Sequence, residues 1–453
     1  MSAARYKPYP AYKPSYAAWS GDVPDHWSPI RLKHVFAEKK KVHNPALPAG
    51  SISFGNVIYK NEESLAKETK AAYQELRCGE FLINPLNMNY DLLSLRTALS
   101  SIDVVVSTGY MILQSAEGYD KNYLRWLLQQ FDVAHMKTLG AGVRQTISYA
   151  DIGNSFIFQP SPTEQTKIAA FLDFETGKID ALIAKQERLI ALLEEKRQAV
   201  ISHAVTKGLN PTAPLRPSGI DWLGDVPEHW EVKSLKNLIT ETSSISYGIV
   251  QPGDALDTGV PFVQTTNMTT GDFDLLKLQK TLPSIAAQFP RSKLHGGEVL
   301  LGIRASIGAA HIVPDFLKGA NLSRGVARIE CAELVSPDFL VQFFRSKSAE
   351  QYWNLGKQGS TFNEVSIATV RELKISLPPQ AEQADIVDFL AAKNAVFDAL
   401  DAQAQSANAL LKERRTALIS AAVTGKIDVR DWQPRHPLSD TDLSAETLQE
   451  AAL

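Results

Sequence analysis

The chain is written twice. "KPSYAAWSGDVPDHW" at 13–27 and "RPSGIDWLGDVPEHW" at 216–230 share 9 of 15 positions at an offset of 203. "EEKRQAVISHAVTKGLN" at 194–210 and "KERRTALISAAVTGKID" at 412–428 share 8 of 17 at an offset of 218. Between these anchors "CGEFLINP" (78–85) lies over "GGEVLLGI" (296–303), and "NYLRWLLQQF" (122–131) over "DFLVQFFRSK" (338–347). The elements keep one order in both halves, so a unit of about 200 residues has been duplicated, too long for a solenoid repeat. Any fold of this chain must make the same object twice.

Each unit has two parts. The first is a stretch of short segments punctuated by Gly, Pro and Asn. "GEFLINP", "SIDVVVST", "GVPFVQTT" and "GEVLLGI" read as strands, and "YLRWLLQQF" and "FLVQFFRS" as short helices. This is an α+β module. The second part is one long helix. Between Pro162 and Val205 there is one glycine and no proline, and "SPTEQ" and "PPQAEQ" supply helix starts with a glutamate in the first turn. Apolar residues alternate at spacings of four and three: Ile168, Leu172, Ile179, Leu182, Leu189, Leu193 and Val200, then Ile386, Leu390, Phe397, Leu400, Leu411 and Leu418. This is a heptad seam interrupted by polar residues at shared places, on a rod of ~60 Å for about 40 residues. Two such seams in one chain most simply bury each other. A pseudo-twofold axis crossing the rods would make the helices antiparallel and put the modules at opposite ends of a coiled-coil stalk. The expected fold is thus α+β, with two pseudo-twofold-related α/β domains separated by two long antiparallel helices. The expected boundaries are an N-terminal module at 1–160, a central helix at 161–210, a C-terminal module at 211–378, a distal helix at 379–428 and a disordered acidic tail at 429–453.

The duplicated Asp-Val-Pro turn with its Trp reads as structural. Pro24 with Trp27, and Pro227 with Trp230, fasten the start of each module to its body. His26 and His229 have no nucleophile or metal-ligand spacing near them. Across the chain there is no P-loop, HExxH, paired CxxC or GxSxG pattern, and the two cysteines, Cys78 and Cys331, are far apart. They fit a reducing cytoplasm rather than a disulfide scaffold or a zinc site. No run of 18 apolar residues occurs and the first residues are not a secretion signal. A chain of 453 residues without a reaction centre is expected to bind something. Charge is uneven: residues 1–160 carry +3 and residues 379–453 carry −5. The densest basic cluster, Lys39, Lys40 and Lys41, is a phosphate-contact candidate.

"GDVPEHW", "EQTKIAAFLDFETGKIDALIAKQERLIALLEEKRQAVISHAVTKGLNP" and "SGIDWLGDVPEHW" together resemble the specificity subunit of type I restriction–modification systems. The resemblance runs from about Lys13 to Asp428; "GKIDVRDW" and the acidic tail after Pro434 depart from it. It implies a DNA reader without an active site of its own. Each target-recognition domain would read one half of a bipartite, asymmetric sequence, and the paired helices would set the gap and dock two modification (methyltransferase) subunits. Those subunits would bring S-adenosylmethionine for adenine N6 methylation. Restriction (motor-nuclease) subunits would bring ATP and Mg²⁺. This chain itself would bind no cofactor and no metal.

Base readers should be polar side chains on loops. In the second module they are expected at Arg304, at Asn321 and Arg324, and at Lys357, Gln358, Ser360 and Thr361. The corresponding places in the first module give Asn87, Asn89 and Tyr90, then Ser107, then Lys137, Arg144 and Gln145. A two-headed protein-binding adaptor without DNA binding would explain the repeat equally well.

Overall fold

A computed structural model of the chain describes residues 6–434 except 18, 64, 87–94, 140–145, 241–244 and 358–363. The chain forms two compact units: Met1–Gln186 with Ala407–Leu453, and Glu187–Ser406. Both are α+β. No helix among the described residues is long and apolar enough to cross a membrane.

The strands of the first unit include β1 (Phe36–Glu38), β2 (Gly50–Ser53), β3 (Asn56–Tyr59), β4 (Phe81–Ile83), β5 (Thr97–Leu99) and β6 (Met111–Ser115). Four of them make an antiparallel sheet in the order β1-β6-β4-β5. Alternation decides its two faces. Phe81 and Ile83 of β4 point into a core with helix α1 (Lys121–Phe131), while Leu82 points into a second core beneath the β2–β3 hairpin. Asp120 caps α1 by accepting from the backbone N–H groups of Asn122 and Tyr123. A long helix, α2 (Pro162–Lys207), follows.

The second unit repeats this plan. Its sheet runs β7 (Ser246–Tyr247), β10 (Val326–Ile329), β8 (Val299–Gly302), β9 (Ala310–Ile312). In both sheets the opening strand lies next to the last, and the last next to the Gly-Glu strand. Again Val299 and Leu301 face one core and Leu300 the other. The short helix α3 (Pro337–Phe344) takes the place of α1, and the long helix α4 (Gln380–Val423) the place of α2.

Each unit contains the start of one long helix and the end of the other, and there the two run antiparallel. In the first unit Asp180 of α2 is paired with Arg415 of α4, and Ile168, Phe171 and Leu172 share a core with Ile419, Ala422 and Val423. In the second Arg197 of α2 is paired with Asp398 of α4, and Ile201, Ala204 and Val205 share a core with Ile386 and Leu390. Burial along the helices keeps the four-three spacing in a corrected phase. Leu172, Thr176, Ile179, Ile183, Gln186, Ile190, Leu193, Arg197, Val200 and Ala204 are buried or half-buried, as are their counterparts at +218 from Leu390 to Ala422. Leu182, Leu189 and Leu400, expected in the seam, stand 47%, 44% and 42% exposed, and Ile183, Ile190 and Asp401 replace them. The phase is set at the helix start. There the module buries Ile168, Leu172 and Thr176 at two successive four-residue steps, which rotates the later seam by one residue.

The segment after α4 returns to the start of the chain. The Asp428 N–H donates to the Lys7 carbonyl at 2.8 Å, and the Trp432 ring meets Phe171 and Phe174 edge-on, each at 5.5 Å.

Candidate functional site

The duplicated octapeptide (20–27 and 223–230) holds the first turn of a long helix. Glu164 of α2 is 3% exposed. It accepts from the Trp27 indole N–H at 3.1 Å and the Tyr9 hydroxyl at 2.6 Å, with His26 Nε2 at 3.0 Å. Burial first, then the Glu164 carboxylate, pushes the Tyr9 phenol far above its ordinary range, so it stays a donor. Glu382 of α4, at +218, accepts from Trp230 at 3.0 Å with His229 at 2.9 Å. A carboxylate in the first turn is also favoured by the helix dipole. The neighbouring glutamines do a second job twice. Gln165 donates to the Pro160 carbonyl and accepts from the Asp120 N–H. Gln383 donates to the Leu334 and Pro378 carbonyls and accepts from the Ser336 N–H. The Glu-Gln pair thus ties each long helix to the octapeptide on one side and to the cap of the short helix on the other. The glycine ending each rod completes the contact. A Cβ on Gly425, at φ 74°, would stand 2.4 Å from Pro24; one on Gly208, at φ 76°, would stand 3.2 Å from Trp230.

The helix–helix ion pairs are one bond written twice. Arg415 Nε donates to Asp180 Oδ1 at 2.7 Å and Nη2 to Oδ2 at 3.2 Å. Arg197 Nη2 donates to Asp398 Oδ1 at 2.6 Å, with its guanidinium 5.7 Å from the Phe397 ring centre. Asp398 corresponds to Asp180, and Arg415 to Arg197, at +218.

Among the expected base readers, three segments of the second unit converge. Arg304 bridges Glu364 through the backbone, the Ile303 N–H donates to Gly325, and the Arg324 guanidinium lies 3.7 Å from the Glu364 carboxylate. Glu364 had no signal in the sequence. Lys357 donates to Asn354 at 2.7 Å. One expected reader is buried. Asn321 is 3% exposed, and its amide donates to Ser292 Oγ and to the Ala286 and Phe289 carbonyls, because a buried amide must spend its N–H groups internally. Ser107 takes the Gly109 N–H in a turn. Lys39 is drawn inward to Glu80 at 2.8 Å and Glu75 at 3.7 Å. Lys40 and Lys41 are exposed, and Lys41 reaches the Thr108 carbonyl. Asn87, Asn89, Tyr90, Arg144, Gln145, Gln358, Ser360 and Thr361, and the Lys137 side chain, lie outside the described residues.

Residues 227–406 match the family model described as type I restriction modification DNA specificity domain. The chain is 27% identical over 285 residues to the type I restriction enzyme EcoBI specificity subunit of Escherichia coli, covering 61% of this chain. That alignment spans only 59% of the relative's length. It is 22% identical over 422 residues to the MjaVIII specificity subunit of Methanocaldococcus jannaschii, covering 90% of this chain and 95% of that one. In fold it is similar to a chain solved in a study of complex assembly and conformational transition of the type I R-M system. The TM-score is 0.64 at 17% identity, over 88% of this chain and 98% of that chain. The duplicated helices, their clamped starts and these likenesses agree: residues 227–406 match the type I restriction modification DNA specificity domain, and the chain is similar to type I restriction enzyme specificity subunits.

Proposed function

We propose that this chain is the DNA sequence-specificity subunit of a type I restriction–modification complex. Each unit reads one half of a bipartite, asymmetric site, and the paired helices set the gap between the halves. The observation that carries this reading is the repetition of one module: the same strand order, the same Glu–Trp clamp and the same Arg–Asp pair occur in both units. An object that must do one task at two half-sites needs that repetition, and a single pocket does not. Arg304 and Arg324 on converging segments, together with Lys357, are base or phosphate contacts of the second half-site.

The chain brings no reaction chemistry and binds no cofactor. Two modification subunits supply S-adenosylmethionine for adenine N6 methylation, and restriction subunits supply ATP and Mg²⁺. The outer stripe of the long helices is where the modification subunits dock. Leu182 and Leu410 in the first unit, and Leu189, Leu192, Val396 and Leu400 in the second, are large apolar side chains left in the open.

The test joins the full chain to the modification subunit of its host and maps methylated adenines. Inserting one heptad after Leu189 and one after Ala407 should lengthen the gap and leave both half-sites intact. Replacing residues 1–160 with those of another family member should change one half-site only. Changed half-sites after the insertion, or no sequence-selective retardation of any duplex, overturn the reading; the second result favours a protein-binding adaptor.

A further inference from the structure

The hairpin of β2 and β3 carries an aromatic ring at an unfavourable place. Ser53 pairs with Asn56, so Phe54 and Gly55 form a two-residue turn. Both are left-handed, with φ of 45° and 77°, the type I′ geometry that suits strand twist. The first place of such a turn ordinarily takes Asn, Asp or Gly, because a bulky side chain in this region crowds its own backbone. Phe54 holds it and is 78% exposed. Burial does not account for the ring, and the backbone is strained to present it.

The turn sits at one end of the first sheet. Ile52 and Val57 anchor the hairpin on the core under Leu82 and Ala98. A Cβ on Gly55 would lie 2.9 Å from Leu95 Cδ1 and 3.7 Å from the Thr97 carbonyl. The tip therefore rests against Leu95 and the start of β5. Next to Leu95, the Arg96 carbonyl accepts from the Asn84 N–H at 2.8 Å and Arg96 Nη1 donates to the Leu86 carbonyl at 2.6 Å. Among the described residues the second unit has no such hairpin: strand Val260–Val263 pairs in parallel with Asn321–Leu322 and is followed by helix Thr265–Thr270.

We infer that Phe54 is a wedge that stacks against a base in the half-site read by the first unit, and only there. The inference rests on the DNA-reading function proposed above. A two-stranded ribbon fits the major groove, inserted apolar side chains unstack base steps, and an aromatic face stacks on any base. A two-residue turn with both φ values positive fixes the direction in which the Phe54 side chain leaves the hairpin tip, so it projects outward before DNA arrives.

The experiment uses the full chain with its modification subunit and a duplex bearing the mapped site, with 2-aminopurine placed in turn at each step of both halves. Phe54→Asn should relieve the turn and raise the melting temperature by about 2–4 °C. It should weaken site binding roughly ten- to hundredfold and abolish the 2-aminopurine brightening at one step of one half-site. Phe54→Gly should bind as weakly, and Phe54→Tyr should bind like the wild type. A Phe54→Asn chain that binds the site as tightly as the wild type overturns the inference. So does one that loses the modification subunit rather than DNA, which would make the tip a protein contact. A wild-type chain that selects no duplex overturns the proposed function itself, so the two failures are distinguishable.

Discussion

Trp27 donates its indole N–H to Glu164 at 3.1 Å across 137 residues of chain, and Trp230 makes the same bond to Glu382 at 3.0 Å. The octapeptide is thus the socket for the next long helix. Glu164→Ala would strand the Trp27 and Tyr9 donors in a site where the carboxylate is 3% exposed, at about 1–3 kcal/mol per unpaired donor. Glu382 is more open, and among the described residues no tyrosine bond to it is seen beside those of Trp230 and His229, so Glu382→Ala should cost less. Urea unfolding followed by tryptophan fluorescence checks the order; equal losses at the two sites contradict it.

The corrected seam separates two kinds of leucine position. Ile183→Ser should destabilise the chain by about 1–2 kcal/mol, whereas Leu182→Ser should change stability by no more than ~0.5 kcal/mol. If the outer stripe docks the modification subunits, Leu182→Ser with Leu189→Ser and Leu400→Ser should weaken that association. Denaturation of the chain alone and co-purification of the complex read the two effects independently.

The twin Arg–Asp pairs are half-exposed and individually weak. A double-mutant cycle at Asp180 and Arg415 should give a coupling of about 0.3–1 kcal/mol that shrinks in high salt. Arg197 and Asp398 should give a similar value, since the pairs are equivalent at +218. A large, salt-insensitive coupling would mean that they act as buried charges.

Asn321 and Arg324 are neighbours in sequence with opposite expected behaviour. Asn321→Ala should lower stability by about 1–3 kcal/mol and leave the recognised sequence unchanged. Arg324→Ala should barely move the melting temperature and should relax one position of one half-site by about 1–3 kcal/mol. Methylation mapping of both variants beside their melting curves decides the matter.

Burial lowers the pKa of His135 in the first unit and of His311 in the second. An unfolded histidine titrates near ~6.5, so just below that value the unfolded chain binds more protons than the folded one. Stability is therefore complete above the unfolded pKa and falls as pH drops toward the folded one. His311→Gln, which keeps an N–H for the Met268 carbonyl now 2.9 Å from the ring nitrogen, should flatten the acid limb of a melting-temperature profile. An unchanged limb would assign it to other groups.

The duplication and the long helices could be read directly, because a repeat and a four-three pattern are properties of residue order alone. The seam's phase could not. At Leu182–Ile183 and Leu189–Ile190 both neighbours are apolar, and at Leu400–Asp401 the half-buried place goes to the polar residue. Only the packing of each module on the first turns chooses between them. The glutamates at 164 and 382 were visible as helix starts, but nothing local showed that a tryptophan more than a hundred residues earlier would donate to them. Asn321 looked like a loop reader because polarity does not reveal burial. Phe54 left no mark, since its meaning lies in a backbone angle.

The bond from Asp428 to Lys7 and the edge-on contacts of Trp432 with Phe171 and Phe174 bear on birth order at the ribosome. Residues 187–406 are contiguous and can settle as soon as they emerge. The unit that begins with the earliest residues needs 407–432 before its core closes, so what is translated first is finished last. During that interval the nascent half-module exposes apolar surface to chaperones.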